Sequence, residues 1–567
     1  MTNIPRMEHP RPQMQRDSWI NLNGQWQFEI DHGKSGKERG LFKDINLSSS
    51  ITVPFCPESM LSGVNNKDFM ECVWYKRTVT VNKDWLSNER RTILHIDACD
   101  YYTEVWINSE SVGTHIGGYS SFSFDITEKL KEGENQITVC ATDLLRSSEQ
   151  PGGKQSKGFF SKSCNYTRTT GIWQSVWLEN VASRSIASFK CTPDINTSSI
   201  YFDILCRNAN GSKVKATAYY KGKQTGCFTA VIEGKHARFN MQLNQLHLWS
   251  CETPNLYDLV LELDDDKVCS YFGMRSTHYS DNKFYLNGKV VFQRLILDQG
   301  FYPDGIYTAP NDQELINDIK RSMDMGFNGA RLHQKIFEPR FLYHCDVLGY
   351  LVWEEHANWG LDISKDKSWE SFLPEWLEII ERDYNHPSII GWCPLNETNK
   401  EQNRNFVKFV ADMTRAFDPT RPVIDTSGYV HVDGASDISD KHNYDQNPIT
   451  FKEKYANLDK QKKSYDGFVD NDSPAAFISE YGGIWWSETD SSGWGYGERP
   501  NSLDEMIKRY KALTEVLLNN PNIGAFCYTQ LTDVEQEQNG LYTYDRKPKM
   551  DPAIIKAINS KKAAVEE

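Results

Sequence analysis

The second half of the sequence repeats one pattern, in which a short apolar run ends in polar side chains and a helical stretch follows. From residue 290 onward these polar ends lie at Asp298-Gln299, Arg331 to His333, Glu354 to His356, Asn396-Glu397, Asp425-Thr426, His442 to Tyr444, Ser479-Glu480 and Thr529-Gln530. A buried parallel strand has this form, because it is apolar along its length and presents polar groups at its carboxyl end. So many strand–helix units predict a (β/α)8 TIM barrel over residues 277–567 rather than an open sheet.

The first half has a different pattern, with short alternating strands separated by polar turns. Residues 1–183 contain runs such as Thr78 to Val81 and Ile137 to Ala141, which predict an antiparallel β-sandwich of jelly-roll type. Residues 184–276 are a smaller β-region, and their length suits an immunoglobulin-like β-sandwich that acts as a spacer. Three domains in 567 residues are expected, since one compact core does not grow to this size.

Composition excludes several classes of function. The net charge of −14 argues against nucleic-acid and anionic-membrane partners, which need clustered Lys and Arg. The 13 cysteines are an odd number and none is spaced as CxxC, so neither a zinc motif nor a disulfide framework is expected. The polar start of the chain and the absence of a long apolar run predict a cytoplasmic protein. The sequence leaves a homo-oligomer open.

Two strand ends carry the carboxyl groups that cleavage of a glycosidic bond requires. Glu397 follows the apolar run from Ile389 to Leu395, and Glu480 follows the run from Ala475 to Ile478. Parallel strands of one barrel bring their carboxyl ends to one rim, so both glutamates are expected there. One carboxylic acid can then protonate the leaving oxygen while the other carboxylate attacks the anomeric carbon.

These segments resemble the catalytic segments of glycoside hydrolase family 2, which includes β-galactosidases, β-glucuronidases and β-mannosidases. The first half is also similar to that family, at Val105 to Asn108, Gly171 to Leu178 and Leu248 to Tyr257, where Cys251 replaces the usual proline. The resemblance implies a retaining exo-β-glycosidase, with Glu397 as acid/base and Glu480 as nucleophile. It implies no cofactor, and a small-molecule or oligosaccharide β-glycoside as substrate.

Seven further residues are candidates for binding the sugar. Asn396 precedes the acid and is expected to donate to the sugar 2-hydroxyl. The others stand at strand ends or near Glu480, and they are Asp298, Gln299, Arg331, His333, Tyr444 and Trp485. Residues 485–500, rich in Gly, Ser and Trp, are predicted to form a long active-site loop. His333 and His442 lack the spacing of metal motifs, so no metal site is predicted.

The sequence indicates the reaction more clearly than it indicates which sugar the enzyme accepts. Family members that act on uronic acids resemble one another in an Asn-x-Lys motif after the eighth strand. Here the matching region runs from Glu537 to Thr543, with no lysine and with an extra negative charge at Glu537. A neutral β-D-galactoside is therefore favoured. A β-hexuronide such as a glucuronide or galacturonide, with Arg546 or Lys547 in the lysine's role, remains an alternative, as do galactofuranosides and arabinosides. A non-catalytic carbohydrate-binding protein is the rival from another class, and the presence of both glutamates argues against it.

Overall fold

The computed structural model describes residues 4–456, 464–465, 468–469, 476–488 and 492–566. Within these residues the chain forms two β-sandwiches followed by a barrel of parallel strands and helices. The predicted architecture of a jelly-roll sandwich, an immunoglobulin-like sandwich and a C-terminal TIM barrel is confirmed.

The first sandwich is built from two facing antiparallel sheets. Their strand orders are β1-β12-β5-β9 and β3-β2-β4-β10-β7-β8, and β6 pairs separately with β11. Alternate side chains point inward, and Trp26, Tyr75 and Ile137 belong to the apolar core between the sheets. The strands are β1 (Trp19–Asn21), β2 (Gly24–Ile30), β3 (Ser49–Val53), β4 (Cys72–Val81), β5 (Arg90–Ile96), β6 (Cys99–Asp100), β7 (Tyr102–Ile107), β8 (Glu110–Ile116), β9 (Phe122–Asp125), β10 (Gly133–Thr142), β11 (Gly171–Ile172) and β12 (Val176–Ala182).

The second sandwich has sheets in the orders β13-β14-β17 and β16-β15-β18-β19, and its core is separate from that of the first. In β17 buried and exposed residues alternate along the strand, as expected where one face meets the core and the other meets water. The strands are β13 (Ser185–Asp194), β14 (Ser199–Arg207), β15 (Lys213–Tyr220), β16 (Lys223–Val231), β17 (His236–Gln242), β18 (Tyr257–Leu263) and β19 (Asp266–Phe272). A three-stranded meander of β20 (Thr277–Ser280), β21 (Lys283–Leu286) and β22 (Lys289–Val290) leads into the barrel.

The barrel alternates strands and helices. Its strands are β23 (Gln293–Asp298), β24 (Gly329–Leu332), β25 (Leu351–Glu355), β26 (Ile389–Cys393), β27 (Leu395–Asn396), β28 (Thr426–Ser427), β29 (Asp440–Asn443), β32 (Phe477–Gly482) and β33 (Ala525–Thr529), with a small hairpin, β30 (Ser464–Tyr465) and β31 (Phe468–Val469), before β32. Its helices are α1 (Asp312–Asp324), α2 (Pro339–Leu348), α3 (Lys367–Asp383), α4 (Arg404–Phe417), α5 (Pro448–Tyr455), α6 (Leu503–Leu518) and α7 (Pro552–Asn559). In the described ranges we find no helix with the length and apolarity that a bilayer crossing would need.

The strands close into a ring. Seven of them form one sheet in the order β26-β25-β24-β23-β33-β32-β29. The remaining gap is filled by the segment around β28, since Trp392 bridges Val423 and β27 pairs with β28 in parallel. On the other side, Ser427 donates a hydrogen bond of 2.6 Å to Asp440 of β29. All carboxyl ends therefore meet at one rim.

Side chains alternate between the inside of the ring and the helices. Leu295, Leu297 and Trp353 lie in the interior cluster, whereas Ile296 and Val352 pack against the helices. The interior is tightly filled: a Cβ on Gly391 would come within 2.2 Å of the Trp353 ring, so only glycine fits there. This alternation decides which polar residues can face the cavity at the rim.

Candidate active site

Glu397 and Glu480 meet at the carboxyl-terminal rim of the barrel. Glu397 follows β27 and Glu480 lies in β32, and one carboxylate oxygen of each is within 4.8 Å of the other. Glu397 has a φ of 51°, in the left-handed region that non-glycine residues seldom occupy. Its backbone N–H donates to Ser427 O at 2.8 Å, which holds this conformation against β28. Side chains separated by 83 residues in sequence thus face each other.

His442, at the end of β29, stands between the two carboxyl groups. Its Nδ1 lies 2.7 Å from Glu397 and its Nε2 lies 3.3 Å from Glu480. Burial disfavours the imidazolium, but the charges of Glu480 and Glu397 outweigh it and raise the pKa of His442 above 6.5. The ring is fixed by Gly428, where a Cβ would come within 2.4 Å of it. The imidazole of His442 therefore bridges the two glutamates.

Arg331, in β24, holds Glu480 in place by an ion pair. Its Nη1 lies 2.7 Å from Glu480, and its Nη2 donates to Asn396 Oδ1 at 2.6 Å and to Glu355. Burial would raise the pKa of Glu480, but His442 and Arg331 outweigh it and hold that pKa well below its ordinary range. Glu480 is thus kept as a carboxylate although it is buried.

Glu355 and His333 complete the charged network around Arg331. His333 Nδ1 is 2.9 Å from Glu355 and 3.9 Å from Glu480. Burial would raise the pKa of Glu355, but Arg331 and His333 hold it at about 2. Burial is also the main reason that the pKa of His333 lies below its ordinary value. Glu355 therefore supplies the negative charge that balances Arg331.

Asn396, Gln299 and Trp485 are among the predicted residues that carry polar atoms without a hydrogen-bond partner in the described part of the chain. These are Nδ2 of Asn396, both amide atoms of Gln299 and Nε1 of Trp485. Asn396 and Gln299 are almost fully buried, with 1% and 3% of their surface exposed. Buried polar groups are normally paired, so unpaired ones at a concave rim mark positions that a ligand can satisfy.

Tyr444 covers Glu480 on the side of the predicted loop. Its hydroxyl donates to Glu480, and it contacts the Thr529 hydroxyl at 3.1 Å. Its ring stacks on Tyr496, with the ring centroids 3.4 Å apart. Tyr496 and Trp485 belong to the predicted loop at residues 485–500, of which 489–491 lie outside the described residues. The described part of this loop thus lies beside Glu480.

Asp298 is the one predicted residue that the structure does not bring to this cluster. In β23, Leu295 and Leu297 face the interior, so Asp298 faces the helices. Burial, followed by the nearby Asp318, raises its pKa to about 6. Asp298 is therefore corrected to a position behind the rim.

Arg546 and Lys547, the alternatives to the uronate-binding lysine, lie elsewhere. Arg546 is bound by Asp318 at 3.3 Å and by the Phe301 carbonyl at 2.6 Å. Lys547 is exposed and pairs with Asp545 at 2.6 Å. Neither residue reaches the two glutamates.

A loop of the first sandwich, residues 150–168, closes one side of the rim. Gly152 and Gly153 donate backbone hydrogen bonds to the carbonyls of Trp359 and Ala357, at 2.8 and 3.1 Å. Tyr166 donates to Glu537 at 2.6 Å. The same loop carries Lys154, whose ammonium lies 4.7 Å above the Trp359 ring. The site therefore contains groups from two domains.

The two glutamates and His442 are also a candidate set of metal ligands. Glu397, His442 and Glu480 supply ligand atoms close enough for one ion. However, the two ring nitrogens of His442 point to different carboxylates, and an ion can use only one of them. Hydrogen bonding within the trio accounts for its geometry.

The prediction from sequence omitted several residues of the site. Glu355 and His442 stand at recognised strand ends, and the alternation from Trp353 to Glu355 was available as a signal. Tyr496, Trp359, Lys154 and Glu537 come from loops, where no periodicity indicates direction. Lys154 and Tyr166 in particular reach the site only through the docking of one domain on another.

Comparison with known proteins agrees with this architecture. The sequence matches the profile of the family 2 glycosyl hydrolase sugar binding domain at residues 20–181, that of the family's central domain at 185–275 and that of its TIM barrel domain at 308–562. The chain therefore belongs to glycoside hydrolase family 2.

Relatives named β-glucuronidase and relatives named β-galactosidase both match this chain. A candidate β-glucuronidase of Formosa agariphila is 28% identical over 71% of this chain and 50% of that protein. A β-galactosidase of Thermoanaerobacterium thermosulfurigenes is 25% identical over 75% of this chain and 60% of that protein. The Sus scrofa β-glucuronidase is 23% identical over 71% of this chain and 67% of that protein. The chain thus spans about half to two thirds of the length of these curated relatives.

Solved structures share the fold across nearly the whole chain. The β-glucuronidase of an uncultured Clostridium has a TM-score of 0.82 at 18% identity and covers 98% of this chain and 100% of that one. The Ruminococcus gnavus β-glucuronidase in complex with D-glucuronic acid has a TM-score of 0.81 at 17% identity, covering 96% and 98%. At these identities the likeness concerns the fold.

Proposed function

We propose that this protein is a retaining exo-β-glycosidase that acts by double displacement. The observation that carries the proposal is the closeness of the Glu397 and Glu480 carboxyl groups, whose nearest ligand oxygens lie within 4.8 Å. Retaining enzymes hold their two carboxyl groups about 5–5.5 Å apart, whereas inverting enzymes need roughly 6.5–9.5 Å to admit a water molecule between them and the sugar.

Glu480 is assigned as the nucleophile. It is buried, yet Arg331, His442 and the Tyr444 hydroxyl all contact it and favour its ionised form. An ionised carboxylate at this point can attack the anomeric carbon and form a glycosyl–enzyme ester. When the ester forms, Glu480 loses its charge, and the same donors stabilise the carboxylate as it leaves in the second step.

Glu397 is assigned as the acid/base. Its side chain is 15% exposed, compared with 6% for Glu480, so it faces the side from which the leaving group departs and water enters. It protonates the leaving oxygen in the first step and takes a proton from water in the second. His442 contacts its carboxyl group at 2.7 Å and fixes its orientation between these two tasks.

The unpaired amides are assigned to sugar hydroxyl groups. Asn396 Oδ1 is held by Arg331, which leaves Nδ2 free to donate. A donor next to the acid/base can bind the 2-hydroxyl, whose hydrogen bonds strengthen in the transition state. Gln299 and Trp485 offer further unpaired donors.

For the sugar itself we propose a neutral β-D-galactoside. Asn539 lies in the region where the uronate-binding lysine of the family is expected, and it donates to Glu537 at 3.0 Å. Glu537 is buried near the site and would repel a substrate carboxylate. Since Arg546 and Lys547 are held elsewhere, neither supplies the missing cation.

A β-hexuronide is the second candidate. Two observations favour it: several relatives are named β-glucuronidases, and Lys154 places a buried ammonium at the rim. A uronate carboxylate needs such a cation, because an unpaired buried charge costs several kcal/mol.

A panel of aryl β-glycosides tests these proposals. The galactoside, glucuronide, galacturonide, galactofuranoside and arabinoside would be compared by kcat/KM, and the anomer released first would be identified by proton NMR. We expect the β-anomer and a galactoside preference over the glucuronide of roughly 100-fold. Release of the α-anomer would disprove retention, and no turnover of any member would favour a non-catalytic sugar-binding protein.

A further inference from the structure

The loop at residues 150–168 is built to hold its position over the barrel. Besides the backbone bonds of Gly152 and Gly153, Thr167 donates its backbone N–H to Glu535 at 3.1 Å. Within the loop, the Tyr166 N–H donates to the Lys154 carbonyl at 2.7 Å, so these two residues are fixed relative to each other. A glycine is required at 153, where a Cβ would come within 2.4 Å of the Gln334 carbonyl. The direction of Lys154 is therefore set by the backbone.

Lys154 is a buried cation whose donors are unused. Only 6% of the residue is exposed. Among the described residues its ammonium has no hydrogen-bond acceptor and no carboxylate oxygen within 4.0 Å, and its contact is the ring of Trp359. Trp359 in turn lies edge-on to His333, with the ring centroids 6.2 Å apart. Because so little of this residue meets solvent, a ligand that supplies hydrogen-bond acceptors would stabilise its ammonium group.

Glu537 is the acceptor on the barrel side. It is 2% exposed, and each of its carboxylate oxygens accepts one hydrogen bond, from Tyr166 at 2.6 Å and from Asn539 at 3.0 Å. Burial raises its pKa, while the charge of Lys154 works in the opposite direction, so the two groups act on each other across a gap. Each carboxylate oxygen can accept a further hydrogen bond.

The carboxyl groups around the site already use its cations. Glu355 pairs with Arg331, Glu397 and Glu480 share His442, and Glu537 has Lys154 as its counterpart. A substrate carboxylate would be an additional negative charge with no cation of its own. A sugar hydroxyl adds no charge and can both accept and donate hydrogen bonds.

We propose that Lys154 and Glu537 together form the specificity-determining pair of the site, binding hydroxyl groups of a neutral sugar between a donor and an acceptor that come from two different domains. This inference rests on the proposed glycosidase function and deepens it. The ammonium donates to a sugar oxygen and the carboxylate accepts from a sugar hydroxyl. A uronate is disfavoured because Glu537 cancels the charge of Lys154.

Two substitutions test the pair. Lys154→Met keeps the apolar stem and removes the donor, and it should lower kcat/KM for an aryl β-galactoside by roughly 100-fold, chiefly through KM. Glu537→Gln keeps the shape and removes the charge, which leaves Lys154 free to bind a carboxylate. It should raise the ratio of glucuronide to galactoside turnover by roughly 10-fold or more. Lys157→Met is the matched control, since Lys157 is on the same loop but bonds the Gly360 carbonyl at 3.2 Å.

Thermal unfolding of each variant shows whether it folds. If Lys154→Met does not fold, Lys154→Arg is a second variant, which keeps the charge. Lys154→Arg should retain more galactoside turnover than either Lys154→Met or Lys154→Gln. The proposal is overturned if Lys154→Met leaves the galactoside unaffected, if it impairs only the glucuronide, or if Glu537→Gln leaves the ratio unchanged. Failure of the proposed function would look different, since the wild-type protein would then hydrolyse no member of the panel with retention.

Discussion

The two β-sandwiches contact opposite ends of the barrel, and the contacts differ in kind. The jelly-roll sandwich reaches the carboxyl-terminal rim, where Lys154 and Tyr166 enter the charged cluster. The immunoglobulin-like sandwich meets the other end, where Arg275 donates to the carbonyls of Pro387 and Ile389 at 2.6 and 2.7 Å. There Trp249 also donates to the Asp346 carbonyl at 2.7 Å. Domains of similar build thus serve either as part of a site or as a support for it.

The two sandwiches differ in role because the barrel strands all run in one direction, and not because the sandwiches differ in build. Only the carboxyl ends carry Glu397, Glu480 and their partners, so only a domain docked at that end can touch the substrate. The predictions below test whether chemistry is confined to that end, and they run from the largest expected effect on activity to the smallest.

Removing the nucleophile should have the largest effect. Glu480→Gln should lower kcat for an aryl β-galactoside by roughly 10⁴-fold or more, because no covalent intermediate can form. Steady-state kinetics would measure it, with the unfolding temperature as a control for folding. A loss of less than about 10-fold would show that Glu480 is not the attacking group.

Removing the acid should give a loss that depends on the leaving group. Glu397→Gln should lower kcat/KM by roughly 10³-fold for an alkyl galactoside, whose leaving oxygen needs a proton. For a dinitrophenyl galactoside, which needs none, the first step should change by about 10-fold or less. Equal losses on both substrates would assign Glu397 another role.

His442 should matter both for rate and for the pH dependence of stability. His442→Gln should lower kcat by roughly 10- to 100-fold, since both carboxyl groups lose the imidazole and Glu480 keeps only Arg331 as a cationic partner. The pKa of His442 is raised above 6.5, so its ion pairs stabilise the fold fully below that value and are lost as pH rises through the raised pKa. The difference in unfolding temperature between wild type and His442→Gln should therefore shrink at alkaline pH. A difference that stays constant from acid to alkaline pH would mean that His442 is neutral in the fold.

Two tyrosines allow the two interfaces to be compared directly. Tyr166 donates to Glu537 at 2.6 Å in the jelly-roll interface, and Tyr271 donates to Asp346 at 2.7 Å in the immunoglobulin-like interface. Either change to Phe should cost about 1–2 kcal/mol of stability, because a buried carboxylate loses one donor.

Only Tyr166→Phe should alter catalysis, lowering kcat/KM for the galactoside by roughly 10-fold. Tyr271→Phe should leave kcat/KM within about 2-fold of wild type. Chemical denaturation and steady-state kinetics on both variants would measure this. Equal kinetic losses would contradict the division of roles between the two sandwiches.

The parts of the site that follow from local pattern were predictable. An apolar run that ends in Asn396-Glu397 or Ser479-Glu480 identifies a strand and its rim, and ring closure brings the two glutamates together. The choice between Asp298 and Gln299 was not predictable from a polar pair alone, because successive side chains of a regular strand face opposite sides. The choice depends on which alternate side chains of β23 face the barrel interior. Leu295 and Leu297 are those side chains.

Lys154 and Tyr166 could not be inferred in this way. They lie in a loop between sandwich strands, with no alternation to indicate direction, and their partners are hundreds of residues away at Trp359 and Glu537. Such contacts depend on the relative placement of whole domains, which results from many weak interactions spread over an interface.

The loop at residues 150–168 allows the sugar preference to change while the catalytic residues of the barrel stay the same. It lies outside the hydrogen-bonded ring, although its Tyr166 packs in the apolar cluster of the barrel. Substitutions in the loop that keep Gly153 and Tyr166 can therefore accumulate without disturbing the ring that aligns Glu397 with Glu480. An ancestral barrel of this type can acquire new sugar preferences through a neighbouring domain while its reaction stays the same. Descendants that differ in substrate are then expected to differ first in this loop.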